Sequence, residues 1–89
     1  MEIEFEPDLS HCIQTLAKEE YDRLLMEILK TEQSNSEINQ SLEMLRAFLE
    51  STDFPKLRGE YEPYLVEGKR VRFTLSPMAD DVEYRFEVT

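Results

Sequence analysis

Residues 69–89 read KRVRFTLSPMADDVEYRFEVT, two alternating runs around a polar turn, and they constrain the fold more than any other stretch. Val71, Phe73 and Leu75 share one parity in the first run, against Arg70, Arg72 and Thr74. In the second, Val82, Tyr84, Phe86 and Val88 alternate with Glu83, Arg85 and Glu87. Side chains of a strand point to opposite faces in turn, so each run is a strand with one apolar and one charged face. Ser76-Pro77 and Asp80-Asp81 supply turn residues between them, and the pair reads as an antiparallel hairpin. An isolated hairpin is marginal in water, so its apolar face needs a cover from the rest of the chain.

Met1 to Glu6 alternates Ile3 and Phe5 with three glutamates before Pro7, a third strand of matching parity. Leu9, Cys12, Ile13 and Leu16 have helical spacing and suggest a short helix capped by Asp8 or Ser10. Lys18 to Thr31 carries Tyr21, Leu24, Leu25, Ile28 and Leu29 as one apolar stripe. Glu19, Glu20 and Asp22 are expected in its first turn, Lys30 in its last, and Ala17 at its N-cap with Leu16 and Tyr21 as a hydrophobic staple. Ser34-x-x-Glu37 reads as a capping box opening a further helix that runs to about Ser51. There Ile38, Leu42, Leu45 and Leu49 hold one face, with Met44 and Phe48 beside them. Two such helices joined by a short polar loop form an antiparallel hairpin.

Residues 51–68 (STDFPKLRGEYEPYLVEG) allow two readings. Asp53 before Phe54-Pro55 starts a helix well, and Leu57, Tyr61, Tyr64 and Leu65 keep helical spacing, but Gly59 and Pro63 interrupt it. The preferred reading is a short helix followed by an irregular or helical turn. The other makes Tyr61 to Val66 a strand. The expected fold is a single α+β domain over residues 1–89, in the order β-α-α-α-β-β. A three-stranded antiparallel sheet is covered on one face by a helical hairpin and shorter helices.

With Tyr61 to Val66 as a strand, one strand and two helices precede a three-stranded meander. That order, with the fragments EFEP, LAKEEYDRLL, KLRG and VEGKRVRF, resembles the RelE/ParE-like toxins. The resemblance implies a small RNA-cleaving protein, with Arg58, Arg70 or Arg72 as the basic residues available to it. Two features depart from it: RNA-cleaving members are usually basic, and the stretch from Ser34 to Ser51 has no counterpart. No catalytic residue carries over.

Composition narrows the partners. Ten Lys and Arg against twenty Asp and Glu give a formal charge of −10, and a surface this acidic repels phosphate. Nucleic acid and anionic membranes are therefore disfavoured. Cys12 is the only cysteine and His11 the only histidine, so neither an internal disulfide nor a His/Cys metal site is expected. The lone thiol fits a cytoplasmic setting, with Cys12 in the core and His11 exposed. The first residues have no signal-peptide pattern, and no apolar run reaches membrane-span length. No glycine-rich phosphate loop, calcium loop or triad is present, so no cofactor and no catalytic role are expected.

The sharpest local feature is basic. Arg70, Arg72 and Arg85 project from the charged hairpin face, with Lys69 beside them. Pairing Leu75 with Val82 places Arg72 opposite Arg85 and Arg70 opposite Glu87, which suggests a small anion or interaction site on the open face. A checkerboard with Glu83, Glu87, Glu2 and Glu4 is the simpler explanation. Phe48, Phe54, Tyr61, Tyr64 and Met78 are candidates for exposed apolar contacts. The preferred function is a small acidic cytoplasmic interaction module without catalysis, inhibitor- or immunity-like in one version, whose partner is another protein or a second copy. The alternative is the RelE/ParE-like nuclease.

Overall fold

The computed structural model describes residues 2–31, 36–78 and 81–89. The elements are β1 (Ile3–Phe5), α1 (Ile13–Thr31), α2 (Ser36–Ser51), α3 (Phe54–Val66), β2 (Val71–Pro77) and β3 (Val82–Val88). This is an α+β fold of three helices and an open antiparallel sheet ordered β1-β2-β3, with β2 central. Ile3 pairs with Leu75 and Phe5 with Phe73, so the N-terminal strand joins the β2 side of the hairpin.

The core forms where the helices meet the apolar sheet face. Val71, Phe73 and Leu75 of β2 are buried with Phe5, Ile13, Ala17, Leu24, Met44, Leu45, Phe48, Phe54, Leu57 and Tyr61. Phe48 packs edge-on against Phe54 and Tyr84, each at 5.4 Å between ring centroids, and so ties α2 to α3 and β3. On α2 the buried residues are Ser41, Met44, Leu45 and Phe48, while Ile38, Leu42 and Leu49 are half-buried. The inward face is thus turned toward Met44 and Phe48 relative to the predicted stripe. The capping box at Ser34 lies outside the described residues.

Three expectations need correction. The first helix begins at Ile13, so the predicted break at Ala17 is absent and Ala17 is fully buried inside α1. Alanine is the best helix former, and nothing at that position stops the helix. Glu20 consequently lies mid-helix, ion-paired to Arg23, which also reaches Glu27 at 3.4 Å. Leu9 precedes the helix and is exposed. Asp8 shapes that approach by accepting hydrogen bonds from the Ser10 and His11 amides at 2.8 and 2.7 Å.

The second correction concerns residues 54–66, which are helical throughout and exclude the strand at Tyr61 to Val66. Asp53 caps the start, accepting from the Lys56 amide at 3.3 Å, with Pro55 in the first turn. Pro63 forfeits the bond to the Gly59 carbonyl, but both residues are exposed, so that carbonyl is open to solvent. Phe54, Leu57 and Tyr61 meanwhile anchor the opposite side in the core. The end is a Schellman turn: Gly68 at φ +87° donates to the Leu65 carbonyl and Lys69 to the Tyr64 carbonyl.

The third is the hairpin register. Leu75 faces Tyr84 rather than Val82, Phe73 faces Phe86, Val71 faces Val88 and Arg72 faces Glu87. The shift is two residues, so the parity of every side chain survives. Its cause is that Ser76 and Pro77 belong to β2 instead of the turn, and Met78 and Asp81 exchange the closing backbone hydrogen bonds. Arg70 and Thr89 also exchange bonds, at 2.9 Å each way. Alternation from either end puts Pro77 at a position whose nitrogen points away from β3, where no donor is needed.

Candidate functional site

The charged sheet face carries the predicted basic residues, and the register separates the like charges. Arg72 lies opposite Glu87 and donates to its carboxylate at 3.2 Å, while Arg85 lies opposite Thr74. The Arg72–Arg85 juxtaposition is therefore absent, and the two are diagonal neighbours. Arg70 reaches across to Glu6 at 2.9 Å, and Ser76 donates to Glu2 at 3.1 Å. Lys69 pairs with Glu67 at 3.4 Å and sits 5.8 Å from the Tyr64 ring centroid. Of the four glutamates named for the checkerboard only Glu87 holds an arginine, Arg70 taking Glu6 instead. Exposed pairs of this kind are worth about 0–1 kcal/mol each. Thr74 is nevertheless buried on this face, flanked by Glu4 and Arg85 on the adjoining strands. Among the described residues, Arg85 and Glu83 have no ion-pair partner.

Arg58 is ion-paired with Glu62 one turn along α3. All three arginines that the toxin resemblance offered are thus held by glutamates, and the strand on which its order of elements depended is helix.

A cleft of about 340 Å³ opens between the start of α1 and α3, lined by Cys12, Gln14, Phe54, Pro55, Arg58 and Tyr61. Tyr61 is held there by the Ile13 amide, which donates to its hydroxyl at 3.0 Å, and burial raises the phenol's pKa. Cys12 is half-buried at the rim, not in the core as expected. Its sulfur lies 3.2 Å from the Thr15 hydroxyl, and this contact, aided by the amides of Thr15 and Gln14 and by Arg58, lowers the thiol pKa. His11 is exposed beside Asp8, 3.4 Å away. Among the described residues no group of three or more His, Cys, Asp or Glu could hold a metal ion. No helix among them is long and apolar enough to cross a membrane.

Phe48, Phe54 and Tyr61 are core residues, whereas Tyr64 and Met78 are exposed. The sequence reading missed the outer side of α1, where Leu25, Met26 and Leu29 are exposed, Leu29 at 72%. The stripe from Tyr21 to Leu29 was wider than the contact with α2 and the sheet could use, and that width was the available signal.

The sheet edges form the remaining candidate. β3 spans seven residues with no strand on its outer side among the described residues, and Tyr84 on its apolar face is 39% exposed. Val82, Phe86 and Val88 are half-buried. The residues of β3 that bond to β2 are Glu83, Arg85 and Glu87, so the amides and carbonyls of Tyr84, Phe86 and Val88 point outward. The Val82 amide, also outward, is already taken by the Asp81 carboxylate at 2.8 Å.

Fold and surface together define a small α+β protein with an acidic composition and an open sheet edge. The chain belongs to a protein family whose model matches residues 1–83. It is similar to an uncharacterised protein of Archaeoglobus fulgidus, with 42% identity over 50 residues. The match covers 54% of this chain and 59% of the archaeal protein. No solved structure matches.

Proposed function

We propose that this chain is a small acidic, cytoplasmic interaction module without a catalytic role, which binds a protein through the β3 edge. The partner is another protein or a second copy of the chain. One version is an inhibitor- or immunity-like role, in which surface carboxylates stand in for the phosphates of an enzyme's natural ligand.

The observation that carries this reading is the outward row of Tyr84, Phe86 and Val88 backbone groups beside the half-exposed Tyr84 ring. An extended chain that pairs there gains main-chain hydrogen bonds and covers the aromatic side chain in one step. The arginine face supports the same reading. Arg70 and Arg72 already have glutamate partners, so of the three arginines on that face only Arg85 is left to meet a charge from outside the described residues. No observation favours the nuclease reading over this one.

A tagged pull-down from native lysate, with and without nuclease and at low and high salt, tests the proposal. A stoichiometric protein that survives nuclease, and is lost when Tyr84→Lys or Val88→Pro is the bait, is the expected result. Recovery of RNA that disappears with nuclease, or RNA cleavage by the purified protein that Arg70→Ala and Arg72→Ala abolish, overturns it.

A further inference from the structure

We infer that the β3 edge pairs with the β3 edge of a second copy, antiparallel about a two-fold axis at Phe86, which rests on the interaction reading above and names its partner. Three registers bring most of β3 against its own copy, and charge separates them. Centred on Arg85, the strands set Arg85 against Arg85 and Glu83 against Glu87, two kinds of like-charge contact. Centred on Tyr84, they set Glu83 against Arg85 but Glu87 against Asp81. Centred on Phe86, they set Arg85 against the partner's Glu87 twice over and Glu83 against the partner's Thr89, and leave no like-charged side chains opposed.

The hydrogen-bond pattern selects the same register independently. Pairing centred on Phe86 uses the outward groups of Tyr84, Phe86 and Val88, all of them unengaged among the described residues. Either alternative also needs the Val82 amide, which Asp81 holds. Arg85, with no ion-pair partner among the described residues, gains one. Glu87 then lies between Arg72 of its own strand pair and the partner's Arg85, which continues the alternation of charge across a six-stranded sheet. On the apolar face Tyr84 packs beside the partner's Val88, an aromatic and β-branched pair of the kind that stabilises sheets. Each copy contributes the same patch, as a two-fold interface requires. The formal charge of −10 on each copy opposes association at long range, but salt at physiological strength screens it beyond about 8 Å.

Sedimentation equilibrium of the purified full chain at physiological salt tests this with two reversals, Arg85→Glu and Glu87→Arg. Each reversal alone opposes like charges in the Phe86-centred homodimer, so each is expected to weaken dimerisation at least about tenfold. An equimolar mixture restores both opposite-charge contacts and is expected to dimerise like the unmodified protein. Circular dichroism checks that each variant folds. If either does not, Val88→Pro, which removes an outward donor and none of the backbone bonds to β2, replaces it and is expected to abolish the dimer. A Glu87→Arg variant that dimerises undiminished while Arg85→Glu does not overturns the Phe86 register in favour of the Tyr84 one. A protein that stays monomeric up to the millimolar range overturns self-pairing. If it still retains a different protein in the pull-down, the edge serves that partner and the interaction reading stands.

Discussion

The two edges of this sheet differ: the β1 edge is blunted and the β3 edge is open. β1 is three residues long, ends ahead of a buried Pro7 and packs Phe5 into the core. Its flanking glutamates are engaged from β2 and its approach, Glu6 by Arg70 and Glu2 by Ser76. Shortness and charge are standard ways to blunt an edge. β3 has seven paired residues, no bulge and no internal proline, and its apolar face is only half covered by α2 and α3. The lesson is that the same alternating pattern gives a sealed or an open edge according to length and cover, neither of which the pattern itself encodes.

The largest test of this contrast lies between the two edges. Phe73 is fully buried on the central strand, paired with Phe5 on one side and Phe86 on the other, and edge-on to Tyr61 at 5.3 Å between ring centroids. Phe73→Ala should cost about 3–5 kcal/mol in chemical denaturation and loosen both edges together. Proline substitutions then separate the inward and outward sides of β3. Glu87→Pro removes a donor to β2 and should cost about 3 kcal/mol. Val88→Pro removes an outward donor and should cost less than about 1 kcal/mol. Equal costs would mean that the β3 edge is not free.

Alanine at the two edge phenylalanines is a finer comparison. Phe5→Ala should cost about 3 kcal/mol and the half-buried Phe86→Ala about 1–2 kcal/mol, by thermal or denaturant melting. If Phe86 proves as costly as Phe5, the edges are equally packed and the contrast fails. Smallest of all, Arg72→Ala should move stability by no more than about 0.5 kcal/mol, because its pair with Glu87 is exposed on both sides.

Much of this was legible in the chain. The parity of β1, β2 and β3, the helical hairpin and the two-layer α+β architecture follow from period-two and helical spacing, and all are present. The register was not, because period two is blind to a two-residue slip. Only the inclusion of Ser76 and Pro77 in β2 decides that Arg72 meets Glu87 instead of Arg85. The helix across Pro63 escaped because a proline's cost depends on which side of the helix it occupies, and that is a tertiary property. Arg70, Arg72 and Arg85 lie on one face, as predicted, but Glu6 and Glu87 hold the first two, one from just beyond β1 and one through the corrected register. Among the described residues only Arg85 of the three is left without an ion-pair partner. The candidate edge was visible only as a general liability of an uncovered strand. Which strand stays open depends on β2 being central.

Amide hydrogen exchange on the purified protein, measured at low and high protein concentration, tests the open-edge claim most directly. The account predicts that the amides of Tyr84, Phe86 and Val88 exchange rapidly when dilute and gain protection together as concentration rises. The outward Glu4 amide on β1 should stay unprotected throughout. Exchange at Tyr84, Phe86 and Val88 that is slow when dilute, or that ignores concentration while Glu4 becomes protected, would contradict it.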